Sequence, residues 1–184
     1  MTIATLVISM LATISGSTGL ATLHALDPLS RTLCFRDGEA GSTFQDNAVK
    51  NRCSDIDFNA YTSGSFTVGI EGGRQGSIID LGTPQDLKLK YGYQETVGGG
   101  QGFASLRFEN GKLVILKDLR TGAVQELEEG NQLVTASQAA PVKLGHVYLV
   151  RLTDRRDKSF TLFAKLIVVD YRPDQSVTIR WQVF

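Results

Sequence analysis

The C-terminal stretch 146–184, HVYLVRLTDRRDKSFTLFAKLIVVDYRPDQSVTIRWQVF, decides the fold. Its last part, 177–183, alternates apolar and polar residues, which is the period of a β-strand with one buried face. The segment before it, 160–171, is apolar on both faces and is therefore predicted to be a central strand. With a first strand over 146–152, the stretch predicts a three-stranded antiparallel meander.

Turn chemistry predicts how the second and third of these strands pair. The connection 172–175 carries Pro173 and Asp174, which are typical of a type I turn. A two-residue connection there places Leu166 opposite Trp181. The same register pairs Val168 with Ile179 and Ala164 with Val183, so the apolar residues of the two strands share one face.

The connection between the first two strands is predicted to span five residues, 154–158. This length sets Tyr148 beside Ala164 and brings His146 level with Leu166. We interpret His146, which follows the turn residue Gly145, as a structural residue at a strand end. The connection itself is a charged tip whose arginines and lysine are accompanied by aspartates, so we expect a solvated turn.

Composition indicates one ordinary folded domain. The chain has 184 residues, of which 42% are apolar and 21% are charged, as in typical globular proteins. Lysine plus arginine equals aspartate plus glutamate at 19 each. No net charge therefore attracts the chain to nucleic acid or to an anionic membrane.

The N-terminal segment 1–25 resembles a secretory signal peptide, because an apolar stretch over 3–14 is followed by small residues. The apolar stretch is too short to span a bilayer. Candidate cleavage sites end at Ala21 and Ala25. Since the segment has no basic residue, an N-terminal strand or a membrane anchor is the alternative. We expect a secreted or periplasmic protein with one β-rich domain, 26–184, and no stable membrane span after signal removal.

The two cysteines, Cys34 and Cys53, are expected to form a disulfide, since an even cysteine count in an exported protein is typical of one. Two unrelated buried thiols are the alternative.

The middle of the chain reads as a series of short strands. We predict a hairpin in which 65–70 and 77–81 flank a glycine-rich connection, and a further strand over 87–93. Asn110-Gly111 predicts a tight hairpin between 103–109 and 112–119. It pairs two apolar residues and two oppositely charged ones: Phe108 with Leu113, and Glu109 with Lys112.

Two local patterns suggest ligand chemistry but are better explained structurally. Asp55, Asp57 and Asn59 fit the start of a calcium loop, yet the later positions of that loop do not match, so we expect a half-buried strand with solvated carboxylates. The glycine-rich segment 98–102 is not followed by a helix with lysine and serine or threonine. We therefore expect a flexible loop rather than a phosphate site.

These nine to eleven short strands predict an all-β fold, and we expect an antiparallel β-sandwich with a partly closed β-barrel as second choice. No helix of ten or more residues is expected in the mature part.

The residue inventory gives little support for catalysis. One histidine is secure after signal removal, and no GxSxG motif is present, so neither a nucleophilic triad nor a zinc or copper site is indicated. We expect no cofactor and no metal. The candidate ligand-binding residues are aromatic side chains near the glycine-rich loop, which could stack on a sugar or an apolar partner: Tyr91, Tyr93 and Phe103.

The sequence therefore predicts an exported, non-catalytic β-sandwich module that binds an unknown protein partner or a glycan. A small secreted hydrolase using a pair of carboxylates is the alternative. A structural subunit with an unpaired apolar strand edge is a third possibility.

Overall fold

The computed structural model describes residues 17–28, 30–36, 38, 54–69, 74–91, 107–109, 112–117, 124–126, 128–129, 132–133 and 137–183. In chain order the elements are β1 (Thr18–His24), β2 (Thr32–Leu33), β3 (Ile56–Phe58), β4 (Ser65–Val68), β5 (Arg74–Gly82), α1 (Pro84–Tyr91), β6 (Arg107–Glu109), β7 (Lys112–Lys117), β8 (Val124–Glu126), β9 (Glu128–Glu129), β10 (Gln132–Leu133), β11 (Ala139–Pro141), β12 (Val147–Asp154), β13 (Thr161–Arg172) and β14 (Ser176–Val183).

The described strands form two main antiparallel sheets. One has five strands in the order β1-β14-β13-β12-β5, and the other has four in the order β11-β4-β3-β2. The all-β sandwich prediction is confirmed, as is the C-terminal meander β12-β13-β14. The second choice, a barrel, is wrong. Among the described residues the larger sheet is open, with β1 at one end and β5 at the other, and β5 makes only an isolated bridge from Ile78 to Ser137.

The predicted register of β13 with β14 is confirmed, with Leu166 opposite Trp181. The connection differs, since Arg172 pairs with Ser176 and three residues lie between them. Asp174, the middle one, has a φ of 57°, a left-handed conformation that aspartate tolerates. A bulge between Val168 and Asp170 offsets the extra loop residue.

The predicted register of β12 with β13 is wrong by two residues. Tyr148 lies opposite Leu166, and Thr153 lies opposite Thr161, so the charged tip is longer than the predicted five residues. An even shift keeps every side chain on its predicted face. The alternation of apolar residues in β12 therefore predicted correctly which side chains face the core. The polar residues of the charged tip did not predict the length of the connection.

The hydrophobic core lies between the two sheets. Aromatic rings from opposite sheets meet edge to face: Phe66 contacts Tyr148 with ring centroids 5.5 Å apart, and Phe35 contacts Trp181 at 5.7 Å. Leu166, Val168 and other apolar residues of the larger sheet complete this cluster. The apolar face predicted from the sequence is thus the face that packs in the sandwich.

Strand β1 closes one side of the core. It pairs along its whole length with β14, and its Leu23 is fully buried. Gly19 lies opposite Trp181, and a Cβ at this glycine would lie 2.6 Å from the indole ring. The absence of a side chain at Gly19 therefore lets the indole pack over the strand. The signal peptide stays a prediction, but the residues Thr18–His24 that it included are a strand of the folded chain.

Two predictions for the middle of the chain are wrong. The segments 65–70 and 77–81 do not form a hairpin, because β4 and β5 belong to different sheets. The predicted strand 87–93 begins as helix α1 instead. Thr83 caps this helix: its side chain accepts a hydrogen bond from the Asp86 amide, while Asp86 accepts from the Thr83 amide at 2.8 Å. Pro84 takes the first helical position, which suits proline.

The hairpin signal at 110–111 is confirmed by its flanking strands. Strand β6 pairs with β7, with Phe108 opposite Leu113 and Glu109 opposite Lys112. Strand β8 continues this small sheet.

The carboxylates predicted to face solvent are buried. Asp55 is 0% exposed and Asp57 3%. Asp57 lies 3.5 Å from Arg31 Nε. Asp55 accepts a hydrogen bond from the Phe35 amide at 2.9 Å and lies 3.5 Å from Nε of Arg74. The prediction was wrong because alternation alone does not show that arginines from elsewhere in the chain cover this face.

Arg74 joins the two sheets through charge. Its side chain is 9% exposed and bridges Asp55, which precedes β3, and Asp154 at the end of β12, whose carboxylate lies 3.2 Å from Nη1. Its guanidinium carbon also lies 3.7 Å from the centroid of the Phe160 ring. Removal of the arginine would leave the buried Asp55 carboxylate without this positive partner.

We expect Arg74→Met to lower the free energy of unfolding by about 3–5 kcal/mol, the usual cost of breaking a buried ion pair from one side. Arg74→Met combined with Asp55→Asn should regain part of that loss. Denaturant unfolding followed by the fluorescence of Trp181, the single tryptophan, measures both. The matched control is Arg172→Met, since the Arg172 side chain is 69% exposed. A single Arg74 variant as stable as this control would contradict the assigned role.

Candidate functional site

A groove of about 410 Å³ lies on the face of the five-stranded sheet that points away from the sandwich core. Its volume is within the range of small-molecule sites. Four strands supply its described lining: β1, β12, β13 and β14. The lining residues are Thr18, Gly19, Leu20, Val147, Lys165, Leu166, Ile167, Arg180, Trp181 and Gln182.

Strand register arranges one part of the floor as a largely apolar row. Leu20 lies opposite Arg180, Arg180 opposite Ile167, and Ile167 opposite Val147, so the row crosses all four strands. With neighbouring strands about 4.8 Å apart, this row spans about 14 Å. Three of its four members are aliphatic, and Arg180 is the charged one.

A second row runs beside the first and is polar. Thr18 lies opposite Gln182, and Gln182 lies opposite Lys165. Successive residues on one face of a strand are about 7 Å apart, so the two rows are close enough for one ligand to touch both. The groove therefore combines an aliphatic surface with hydrogen-bond donors.

Side chains on the same face of the sheet as the groove, but outside its lining, are also buried. On β12 and β13, Leu149 is 0% exposed and Phe163 is 5% exposed, and neither belongs to the core between the sheets. Lys165 and Gln182 are each 8% exposed. Lys165 and Gln182 are thus set into the molecule, whereas Thr18 and Leu20 of β1 are exposed at the rim, Leu20 at 63%.

The aromatic residues predicted to bind a ligand are not placed at this groove by the structure. Tyr91 is the last residue of α1, and its side chain lies outside the described part. Tyr93 and Phe103 also fall outside the described residues, as does the glycine-rich segment 98–102. Their role in binding stays a prediction.

A polar cluster surrounds Asp80 at the end of β5. One carboxylate oxygen accepts a hydrogen bond from His146 Nδ1 at 2.8 Å, and the other accepts from Lys143 Nζ at 2.9 Å. The Gly82 amide donates a third bond at 2.9 Å. Tyr148 donates to the Pro141 carbonyl at 2.8 Å. His146 lies just before β12, one residue outside the strand that the sequence predicted to begin there, and its bond to Asp80 links β12 with β5.

These contacts set the acidity of Asp80. Burial alone raises the pKa of this carboxyl, but the hydrogen bonds from His146, Lys143 and the Gly82 amide outweigh it, so the pKa lies below its ordinary value. Burial is also the main cause that raises the pKa of Tyr148. Asp80 is thus held as a carboxylate at neutral pH, which suits a structural acceptor rather than a general acid.

We expect Asp80→Asn to lower the free energy of unfolding at pH 7 by about 1–2 kcal/mol, because hydrogen bonds to a charged group are lost. A pKa lowered by folding stabilises the protein above the unfolded value of 3.8 and stops doing so as the pH falls through the folded value. The difference between wild type and variant should therefore shrink below about pH 4. Denaturant unfolding across a pH series measures it.

Asp170→Asn is the control for this series, since the Asp170 side chain is 55% exposed. It should lower the free energy of unfolding by no more than about 1 kcal/mol, because an ion pair between exposed side chains contributes little to stability. A difference for Asp80→Asn that stays constant down to about pH 2 would contradict the assignment.

The predicted disulfide stays a prediction, because Cys53 lies outside the described residues. Cys34 is fully buried. Leu33 lies opposite Ile56, and the Asp55 amide donates to the Leu33 carbonyl at 3.0 Å. Asp55, two residues after Cys53 in the sequence, therefore lies beside the residue that precedes Cys34.

Within the described ranges, no group of three or more histidine, cysteine, aspartate or glutamate side chains could hold a metal ion. In the same part of the chain, no helix has the length and hydrophobicity to cross a membrane.

Comparison with known proteins identifies no relative. No protein-family model, no curated protein and no solved structure matches the chain. The function must therefore be inferred from the groove itself. Sequence reasoning missed this groove because its residues come from both ends of the chain, and the one available signal was the polar set Arg180 and Gln182 on a strand whose other face is buried.

Proposed function

We propose that this protein is an exported, non-catalytic β-sandwich module that holds a ligand in the groove formed by β1, β12, β13 and β14. The observation that supports this most is the groove of about 410 Å³, in which Lys165 and Gln182 are buried while Leu20 is exposed at its rim. A concave surface with aliphatic residues and a few convergent polar groups is the usual form of a ligand site.

Binding rather than catalysis is favoured by where the described carboxylates lie. A carboxylate hydrolase needs two carboxyl groups that reach one substrate. Asp55 and Asp57 are buried beside arginines, and Asp80 is held by His146 and Lys143. None of these aspartates lines the groove. A glycan or a protein partner, as predicted from the sequence, remains the broad class of ligand.

We expect backbone amide NMR shifts to locate ligand binding in the groove. Titration with a panel of neutral disaccharides, short carboxylates and aliphatic alcohols should move the amides of 18–20, 165–167 and 180–182 more than others. Leu20→Trp should block these shifts by filling the rim. Leu26→Trp is the matched control, because Leu26 is 86% exposed and lies outside the groove lining. Shifts that avoid the groove for every compound would overturn the proposal.

Export is the second part of the proposal, and it is supported by the apolar leader-like segment before Ser17. Because β1 covers one side of the core, a cleavage that removes it would expose Ile179 and Trp181. We therefore expect the mature N-terminus to lie before Thr18, upstream of both cleavage sites predicted from the sequence. N-terminal sequencing of protein from the extracytoplasmic fraction measures it, and a mature chain starting after Ala25 would contradict this expectation.

A further inference from the structure

The groove contains a cation, Arg180, in a chain that has no net charge. The whole sequence has 19 basic and 19 acidic residues, whereas the described lining includes Lys165 and Arg180 and no aspartate or glutamate. Charge in a concave site with apolar walls is screened less than charge on an open surface. The local field therefore favours a negatively charged ligand.

The two cations are close together on one face of the sheet. Lys165 pairs with Gln182, and Arg180 pairs with Ile167, so the two basic residues are diagonal neighbours on β13 and β14. Diagonal neighbours have side-chain origins about 7–8 Å apart. Lys165 has an interaction partner of its own, so the ligand's negative charge is assigned to Arg180, with Lys165 as a neighbouring positive charge. Gln182 lies beside Lys165 and adds an amide donor.

The polar residues beside Arg180 are buried, and Arg180 itself is half-buried. Lys165 and Gln182 are each only 8% exposed. Arg180 has no carboxylate within salt-bridge distance among the residues that the structure describes. Hydrogen bonds from a guanidinium to a carboxylate or sulfate are about twice as strong as neutral ones, and they can form in pairs.

The rest of the groove is suited to an apolar body. Ile167 and Val147 continue the floor away from the cations toward β12, and Leu20 flanks Arg180 on the opposite side. From Arg180 to Val147 this row is about 10 Å long, which fits a short aliphatic chain or a ring system. A fully hydrated anion such as phosphate would leave these aliphatic side chains without a partner.

We propose that the groove binds an amphipathic anion, a molecule with one carboxylate or sulfate head group and an aliphatic body. This inference rests on the proposed function and specifies its ligand class. The head group lies at Arg180 beside Gln182, and the aliphatic body lies over Ile167 and Val147. The concave shape and limited volume favour a small amphiphile over an acidic peptide.

Isothermal titration with four probes of equal chain length tests the proposal, all below their micelle-forming concentrations: dodecanoate, dodecyl sulfate, dodecanol and dodecyltrimethylammonium. We expect saturable binding of the two anions and at least about tenfold weaker binding of the alcohol and the cation, the value of one charge-assisted contact. Butyl-chain versions of the anions should bind more weakly, because less apolar surface is covered.

Substitutions in the groove distinguish the contribution of charge to ligand binding from that of shape. Arg180→Gln should weaken dodecanoate binding about tenfold or more and leave dodecanol binding unchanged. Arg172→Gln, at an exposed arginine outside the groove, is the matched control and should change neither. At the rim, Leu20→Asp should weaken anion binding, whereas Leu20→Lys should retain or strengthen it. Both substitutions are at a position that is 63% exposed, so each variant should fold.

The failure of this inference can be told from the failure of the proposed function. Equal binding of the anions, the alcohol and the cation, or no effect of Arg180→Gln, would overturn the anionic ligand. If neutral compounds still shift the groove amides, the binding module stands with a different ligand class. Binding of an acidic peptide at the groove in preference to both anions would also overturn the inference, since the occupant would then be a protein segment.

Discussion

The pairing of β13 with β14 is the constraint on which the rest of the structure depends. Leu166 lies opposite Trp181 in this pair, and both strands alternate between the core and the outer face. A register or pleat shift of one residue would move Trp181 out of the core and bring Arg180 into it. The same pairing places β14 where β1 can add to the sheet, with Gly19 beneath the indole ring. The same strand pairing therefore places the core on one face of the sheet and the groove on the other.

Buried ion pairs add to the contacts of this apolar core at one end of the two sheets. Arg74 lies between Asp55 and Asp154, which come from parts of the chain that pack in different sheets. A buried ion pair contributes little net stability compared with apolar packing, but it strongly disfavours arrangements that separate the partners. The crossing from β4 in one sheet to β5 in the other brings Arg74 to this position. Hydrophobic packing accounts for the attraction between the sheets, and the arginine favours one way of aligning them.

The sequence was sufficient for the fold class and for the faces of the C-terminal strands, because alternation repeats over many residues. It was not sufficient for loop lengths, as the three-residue connection around Asp174 shows. The helix α1 was missed although Thr83, Pro84 and Asp86 carry a capping pattern. The alternating apolar residues Leu87, Leu89 and Tyr91 led to the prediction of a strand in spite of this capping pattern. The burial of Asp55 depends on Arg74, whose proximity is set by tertiary structure and has no local signature.

The groove could not be predicted from any one segment, for a physical reason. Its floor joins residues about 160 positions apart in sequence, since Leu20 and Arg180 are neighbours only because β1 adds to the far end of the meander. Yet once the pairing is known, the composition of the groove follows from it. The apolar residues of β14 pack in the sandwich core, and they alternate with Thr178, Arg180 and Gln182. These three polar residues therefore lie on the outer face of the sheet. The central strand β13, apolar on both faces, supplies Ile167 to the same surface. The groove contains both aliphatic and cationic groups because β14, which is apolar on one face only, pairs with β13, which is apolar on both faces.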